Sequence, residues 1–213
     1  MKLKGLILLT LIVISGRIFS QNSSSSADTV SGKNLFDYII MTDEEKKIFK
    51  EYTKQKIEEF QQYIITIGDK SQPEELRNMA EREAVKLFYK GATIEISNVD
   101  EKGKTNIVTR PIEKYLARLK ALPYTRVIIK YYDIAYISDF IKGPDGKYYS
   151  TATIIQEFTG IVGDKIQYTD VTKKEIEVVV DLVEDSFYME RHWKIFLGNI
   201  KAVETSQKPD VKM

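Results

Sequence analysis

Thr172-Lys173-Lys174-Glu175-Ile176-Glu177-Val178-Val179-Val180-Asp181-Leu182-Val183 decides how the rest of the chain folds. One parity holds Ile176, Val178, Val180 and Leu182, and the other holds Lys173, Glu175, Glu177 and Asp181. Side chains of a strand alternate between two faces, so this is a strand with one dry face and one wet face. The alternation recurs on both sides of it. Downstream, Met189, Trp193, Ile195 and Leu197 share a dry parity against Glu190, His192 and Lys194. Upstream, Ala152, Ile154 and Phe158 oppose Thr151, Thr153, Glu157 and Thr159. A further strand, over 124–138, is apolar on both faces, with Val127, Ile129, Ala135 and Ile137 on one side and Ile128, Ile134 and Tyr136 on the other. Gly143-Pro144-Asp145-Gly146, Gly163-Asp164 and Glu184-Asp185-Ser186 supply the turns. Residues 124–205 therefore read as four long strands joined by tight connections. The doubly apolar strand needs cover on both faces, which a second copy of the chain would give.

Ahead of this sheet the period changes to that of helices. Thr42 and Glu45 form a capping box, and Ile57, Phe60, Ile64 and Ile67 make one apolar stripe up to Gly68-Asp69. A second helix starts at Ser71 with Pro73 in its first turn, and its stripe is Leu76, Met79, Ala80, Ala84, Leu87 and Phe88. Two short strands, over 92–97 and 106–109, precede a third helix that opens at Pro111 and turns Ile112, Tyr115, Leu116 and Leu119 inward. The fold class is α+β, with three helices packed on a bent antiparallel sheet of four long strands plus one or two short ones.

The 213 residues suffice for one sizeable core. Residues 1–20 combine Lys2 and Lys4 with a short apolar run and a small-polar junction, the pattern of a secretory signal, the alternative being an uncleaved anchor. A Ser-rich polar linker spans 21–41, the globular domain 42–205, and a frayed tail 206–213. The protein is thus expected outside the cytoplasm, periplasmic or extracellular, with no membrane attachment once the signal is cleaved. The signal holds three of the 32 basic residues and none of the 31 acidic ones, so 29 basic residues remain against 31 acidic. A near-neutral domain without a basic stripe is a poor binder of nucleic acid. The chain has no cysteine, which removes thiol nucleophiles and disulfides. His192, the one histidine, falls on a wet parity, so neither a histidine triad nor a histidine-rich zinc site is expected. No metal or cofactor is expected.

The order helix, helix, short strand, short strand, helix and four long strands resembles the NTF2-like superfamily. That superfamily includes SnoaL-like polyketide cyclases, ketosteroid isomerases and scytalone dehydratases, and the chain looks similar to its uncharacterised exported bacterial members. The resemblance implies a sheet curled into a cone, helices closing its open side, a cavity between them, and frequent homodimers through the sheet. Its enzymes use an acid, a histidine or a tyrosine inside the cone, and none of these transfers residue by residue onto this chain.

Polar residues on dry parities are the candidates for such a cavity, because a polar group costs about 1–3 kcal/mol when buried unpaired. Asp133 shares its parity with Tyr131, Gln156 lies between Ile154 and Phe158, and Arg191 lies between Met189 and Trp193. Tyr131, Asp133, Gln156, Arg191 and Trp193 form the candidate ligand site, with Asp133 as the candidate acid or base. The alternatives are an Asp133–Arg191 ion pair, or a bulge that shifts parity. Asp170 reads as a structural turn or bulge residue. The leading expectation is a domain that binds a small apolar or mixed-polarity molecule, or a partner protein, without catalysis. An isomerase- or dehydratase-like acid–base enzyme and a structural homodimer with a filled cavity are the alternatives.

Overall fold

The computed structural model of the protein describes residues 40–99, 104–185 and 190–207. The expected signal, nearly all of the expected linker, Met189 and the last six residues lie outside the described residues. Three helices, α1 (Asp43–Gly68), α2 (Glu74–Lys86) and α3 (Ile112–Lys120), accompany seven strands. The strands are β1 (Thr93–Val99), β2 (Thr105–Pro111), β3 (Arg126–Ile137), β4 (Ile141–Lys142), β5 (Tyr148–Val162), β6 (Lys165–Asp185) and β7 (Glu190–Gln207). They form one open sheet in the order β2-β1-β7-β6-β5-β3, with β4 paired to the start of β5. The sheet is mixed rather than antiparallel throughout, because β1 meets β7 in parallel at Ile94 and Ile200.

α1 forms where its signals lie. Thr42 and Glu45 cap it reciprocally, and Ile57, Phe60, Ile64 and Ile67 are all buried. Phe60 meets Phe88 edge-on at 4.8 Å. α2 begins at Glu74, later than Ser71, and its stripe is narrower than its sequence suggests. Ala80, Ala84, Leu87 and Phe88 are buried, while Leu76 and Met79 are exposed at its outer end. Arg77 joins the helices by donating to the carbonyls of Ile67 and Lys120 at 2.9 and 3.0 Å. Met41 also belongs to the domain although the linker range includes it: it is buried, and its N–H donates to Tyr148 Oη at 2.9 Å.

The two-residue turn Gly163-Asp164 joins β5 to β6, and Gly163 takes a positive φ of 59° there. In β7, Ile195, Leu197, Ile200 and Ala202 are buried, and a register shift between Leu197 and Ile200 lets both face inward. The apolar-on-both-faces reading of β3 is corrected by its register. β3 slips against β5 between Tyr132 and Ile134 and again between Ile134 and Tyr136. The two extra residues, Asp133 and Ala135, break strict alternation twice. Ile134 consequently packs on the core, Ala135 is exposed, and Tyr136 is 62% exposed. The outer face beside it carries Lys173, Glu175 and Glu177.

Candidate functional site

A cavity of about 360 Å³ lies between α3, the β1–β2 hairpin and the inner face of β5 and β6. Its size falls within the range of small-molecule sites. Ile96, Leu119, Leu122, Tyr124 and Phe158 give it apolar walls, and Tyr115 enters from α3. Its floor is polar. Gln156, Asp170, Thr172 and Lys174 all reach it, and each is at most 6% exposed.

The register explains how four polar side chains meet. Gln156 pairs directly with Thr172, Phe158 with Asp170, and Ile154 with Lys174. Asp170, Thr172 and Lys174 are alternate residues of one strand, so they share a face, and Gln156 sits opposite the middle one. Thr172 is committed, since its hydroxyl bonds Thr205, which in turn bonds Ser97 of β1. Among the described residues no hydrogen bond or ion pair reaches the Gln156 amide or the Lys174 ammonium. Tyr168, two residues before Asp170, has a buried hydroxyl with no hydrogen-bond partner. It lies near enough to Asp170 to favour the charged carboxylate but does not form a bond of proper geometry. At the mouth stand Arg110 and Arg118.

Burial sets the electrostatics of this floor. It pulls the Lys174 ammonium down to about 8, against the opposing pull of Asp170 and Glu95. Burial raises Asp170 above the usual carboxylate range, although Tyr168, Lys174 and Thr172 act the other way. The phenols of Tyr115, Tyr124 and Tyr168 are all pushed up, first by burial and then by Asp170.

These shifts fix an alkaline pH dependence. Between about pH 8 and the ordinary lysine value of 10.5, Lys174 has lost its proton in the folded protein and kept it in the unfolded chain. Stability therefore rises with pH from about 8. Above about pH 10 the buried phenols reverse the trend, because unfolded tyrosines ionise first. Chemical denaturation across pH 7 to 11 should give a maximum near pH 9.5 to 10, and Lys174→Met should remove the rising limb.

The structure brings Gln156 and Tyr131 together as directly paired residues of β5 and β3. The half-buried Tyr131 has its phenol raised by burial and then by the neighbouring Tyr115. Asp133 sits at the first β3 irregularity, and its side chain lies outside the described residues. Arg191 and Trp193 are far away: they pair with Glu184 and Leu182, eight or more residues along β6 from Lys174, or roughly 25 Å. Arg191 is exposed and Trp193 packs edge-on against Tyr148 at 5.4 Å. Asp170 is corrected from a turn residue to a buried member of β6, since that strand starts at Lys165. The signal was present. Tyr168, Asp170, Thr172 and Lys174 continue the parity of Ile176, Val178 and Val180 toward the N-terminus.

Gly160 shapes one wall. A Cβ there would lie 2.5 Å from Tyr124 Cζ, so the ring rests on bare backbone. Gly160→Ala should displace Tyr124 into the cavity and cost about 1–3 kcal/mol, read as a lower denaturation midpoint.

No family model, curated protein or solved structure matches the chain. Among the described residues there is no group of three or more His, Asp or Glu side chains able to hold a metal ion. None of the described helices is long and apolar enough to cross a membrane.

Proposed function

We propose that the protein is an exported NTF2-like domain whose cavity binds a small molecule of mixed polarity. The observation that carries this reading is the buried polar floor. The Tyr168 hydroxyl is withdrawn from water without a hydrogen-bonding partner, and the side chains of Gln156 and Lys174, almost wholly buried, reach the cavity with no protein hydrogen bond among the described residues. Such groups are costly to keep unless something else satisfies them. A ligand with a polar head on this floor and an apolar body against Leu119, Leu122 and Phe158 does so. The head is acidic or a strong acceptor, because Lys174, Arg110 and Arg118 outnumber Asp170.

The test is a thermal-shift and calorimetric screen of linear acids, alcohols, ketones and aldehydes of roughly six to ten carbons, sized to the cavity. At least one class should raise the melting temperature. Gln156→Leu should weaken that binding about five- to tenfold, the worth of one hydrogen bond. If no class binds at millimolar concentration, the reading fails.

One observation favours a second reading, acid–base turnover of such a ligand. The Asp170 carboxyl, raised by burial, lies among the phenols of Tyr115, Tyr124 and Tyr168. Asp170 then takes the role expected of Asp133, and Asp170→Asn should stop turnover while leaving binding in place. A homodimer through the sheet would have to seat Lys173, Glu175 and Glu177 against a mate, and the mass of the protein in solution tests it.

A further inference from the structure

Lys174 is hard to explain as a structural residue. It is 5% exposed, lines the cavity, and forms no ion pair with either Asp170 or Glu95 among the described residues. Glu95 is engaged elsewhere, accepting the Ala202 N–H at 2.9 Å. A lysine kept only to bind an anion would do so better from a wetter position, where its charge costs less. What burial gives instead is an amine that sheds its proton near neutral pH, in a site with room for a reactant.

We propose that Lys174 captures an aldehyde or ketone ligand as an imine. The inference rests on the cavity-binding reading and specifies the ligand's head group as a carbonyl. The lone pair of the neutral amine adds to the carbonyl carbon, and the C=O π pair moves to oxygen. That oxygen takes a proton and the nitrogen loses one, giving a carbinolamine. The C–O bond then breaks, the hydroxyl takes a second proton and leaves as water, and nitrogen forms the C=N bond and returns its remaining proton. Amine and carbonyl thus yield imine and one water, with no oxidant or reductant. The raised Asp170 carboxyl, on the same strand face and lining the same cavity, is the acid that supplies the proton to the departing hydroxyl. Once the imine is protonated, the charges of Asp170 and Glu95, which already act on Lys174, compensate its positive charge. Leu119, Leu122 and Phe158 receive the carbon chain, and the half-enclosed site limits the return of bulk water.

The experiment uses the full chain with hexanal and sodium cyanoborohydride at pH 7, followed by peptide mapping of every lysine over time. A lysine lowered to about 8 presents far more neutral amine at that pH than a surface lysine. Lys174 should therefore be alkylated about tenfold faster or more than the median lysine. Hexanoate, which can occupy the cavity without forming an imine, should slow labelling of Lys174 and of no other lysine. Lys174→Arg, which keeps the charge but has no comparable amine nucleophile, should lose the fast phase, and a melting curve shows whether that variant folds. Labelling of Lys174 at or below the surface rate in the wild type overturns the proposal whatever the variants do. If hexanoate binding persists in that case, the cavity reading stands without the imine. If hexanoate and hexanal both fail to bind, both readings fall together.

Discussion

Phe60→Ala should destabilise the protein by about 3–5 kcal/mol, measured by urea denaturation at neutral pH. Phe60 lies in the middle of α1, is 1% exposed, and meets Phe88 edge-on. Phe88 in turn bridges to Leu197 of β7, itself fully buried. Removing the ring therefore opens a void where the long helix, the end of α2 and the sheet converge. Domains are stable by only about 5–15 kcal/mol, so this loss is a large fraction of the total. Ile57→Val, one turn away on the same stripe, removes a single methylene and should cost about 0.5–1.5 kcal/mol. If Phe60→Ala costs no more than Ile57→Val, the core is not centred on this contact.

Lys174→Met should act in the opposite direction. The two side chains have similar length, and methionine carries no charge to desolvate. At pH 7 the native lysine is protonated on a floor that lowers it from 10.5 to about 8, so the folded state bears the cost of that charge. The variant should be more stable by about 3–3.5 kcal/mol at pH 7, following from roughly 1.4 kcal/mol for each of the 2.5 units. The gain should shrink as pH rises from 8 toward 10, where the native amine is neutral. The same variant should lose labelling by hexanal and weaken acid binding. A stabilised protein with intact ligand binding would mean that Lys174 is not part of the site.

Much of the architecture is legible in local pattern. The α1 stripe needs no tertiary information, because capping box and period agree over 26 residues. The β6 parity is equally plain where aliphatic residues alternate with charges. What escapes is the same parity where its apolar residues stop. Asp170, Thr172 and Lys174 look like the wet end of a strand until α3 and the β1–β2 hairpin are seen to cover them. Long-range packing makes that floor, and no window of the sequence holds it. Asp133 and Ala135 escape for a different reason: strict alternation does not hold in a strand that slips twice against its neighbour. Arg191 and Trp193 share a face with the cavity residues in principle. They are separated from them by eight or more residues of β6, a distance that parity does not measure.

The wall of the cavity formed by β1 is attached to the rest of the sheet in an unusual way. Its ladder to β7 is a single parallel pair, Ile94 with Ile200. Among the described residues the further ties run through side chains: Asn199 accepts from the Thr93 amide at 3.0 Å, Glu95 accepts from Ala202, and Ser97 bonds Thr205. By contrast, β6 shares long ladders with both of its neighbours. Protection against hydrogen–deuterium exchange should divide along that line. The amides at the β6 centre would exchange through global unfolding, and those of the β1–β2 hairpin through a smaller, cheaper opening. The side of the protein that encloses the cavity is then also the side that can open without dismantling the core.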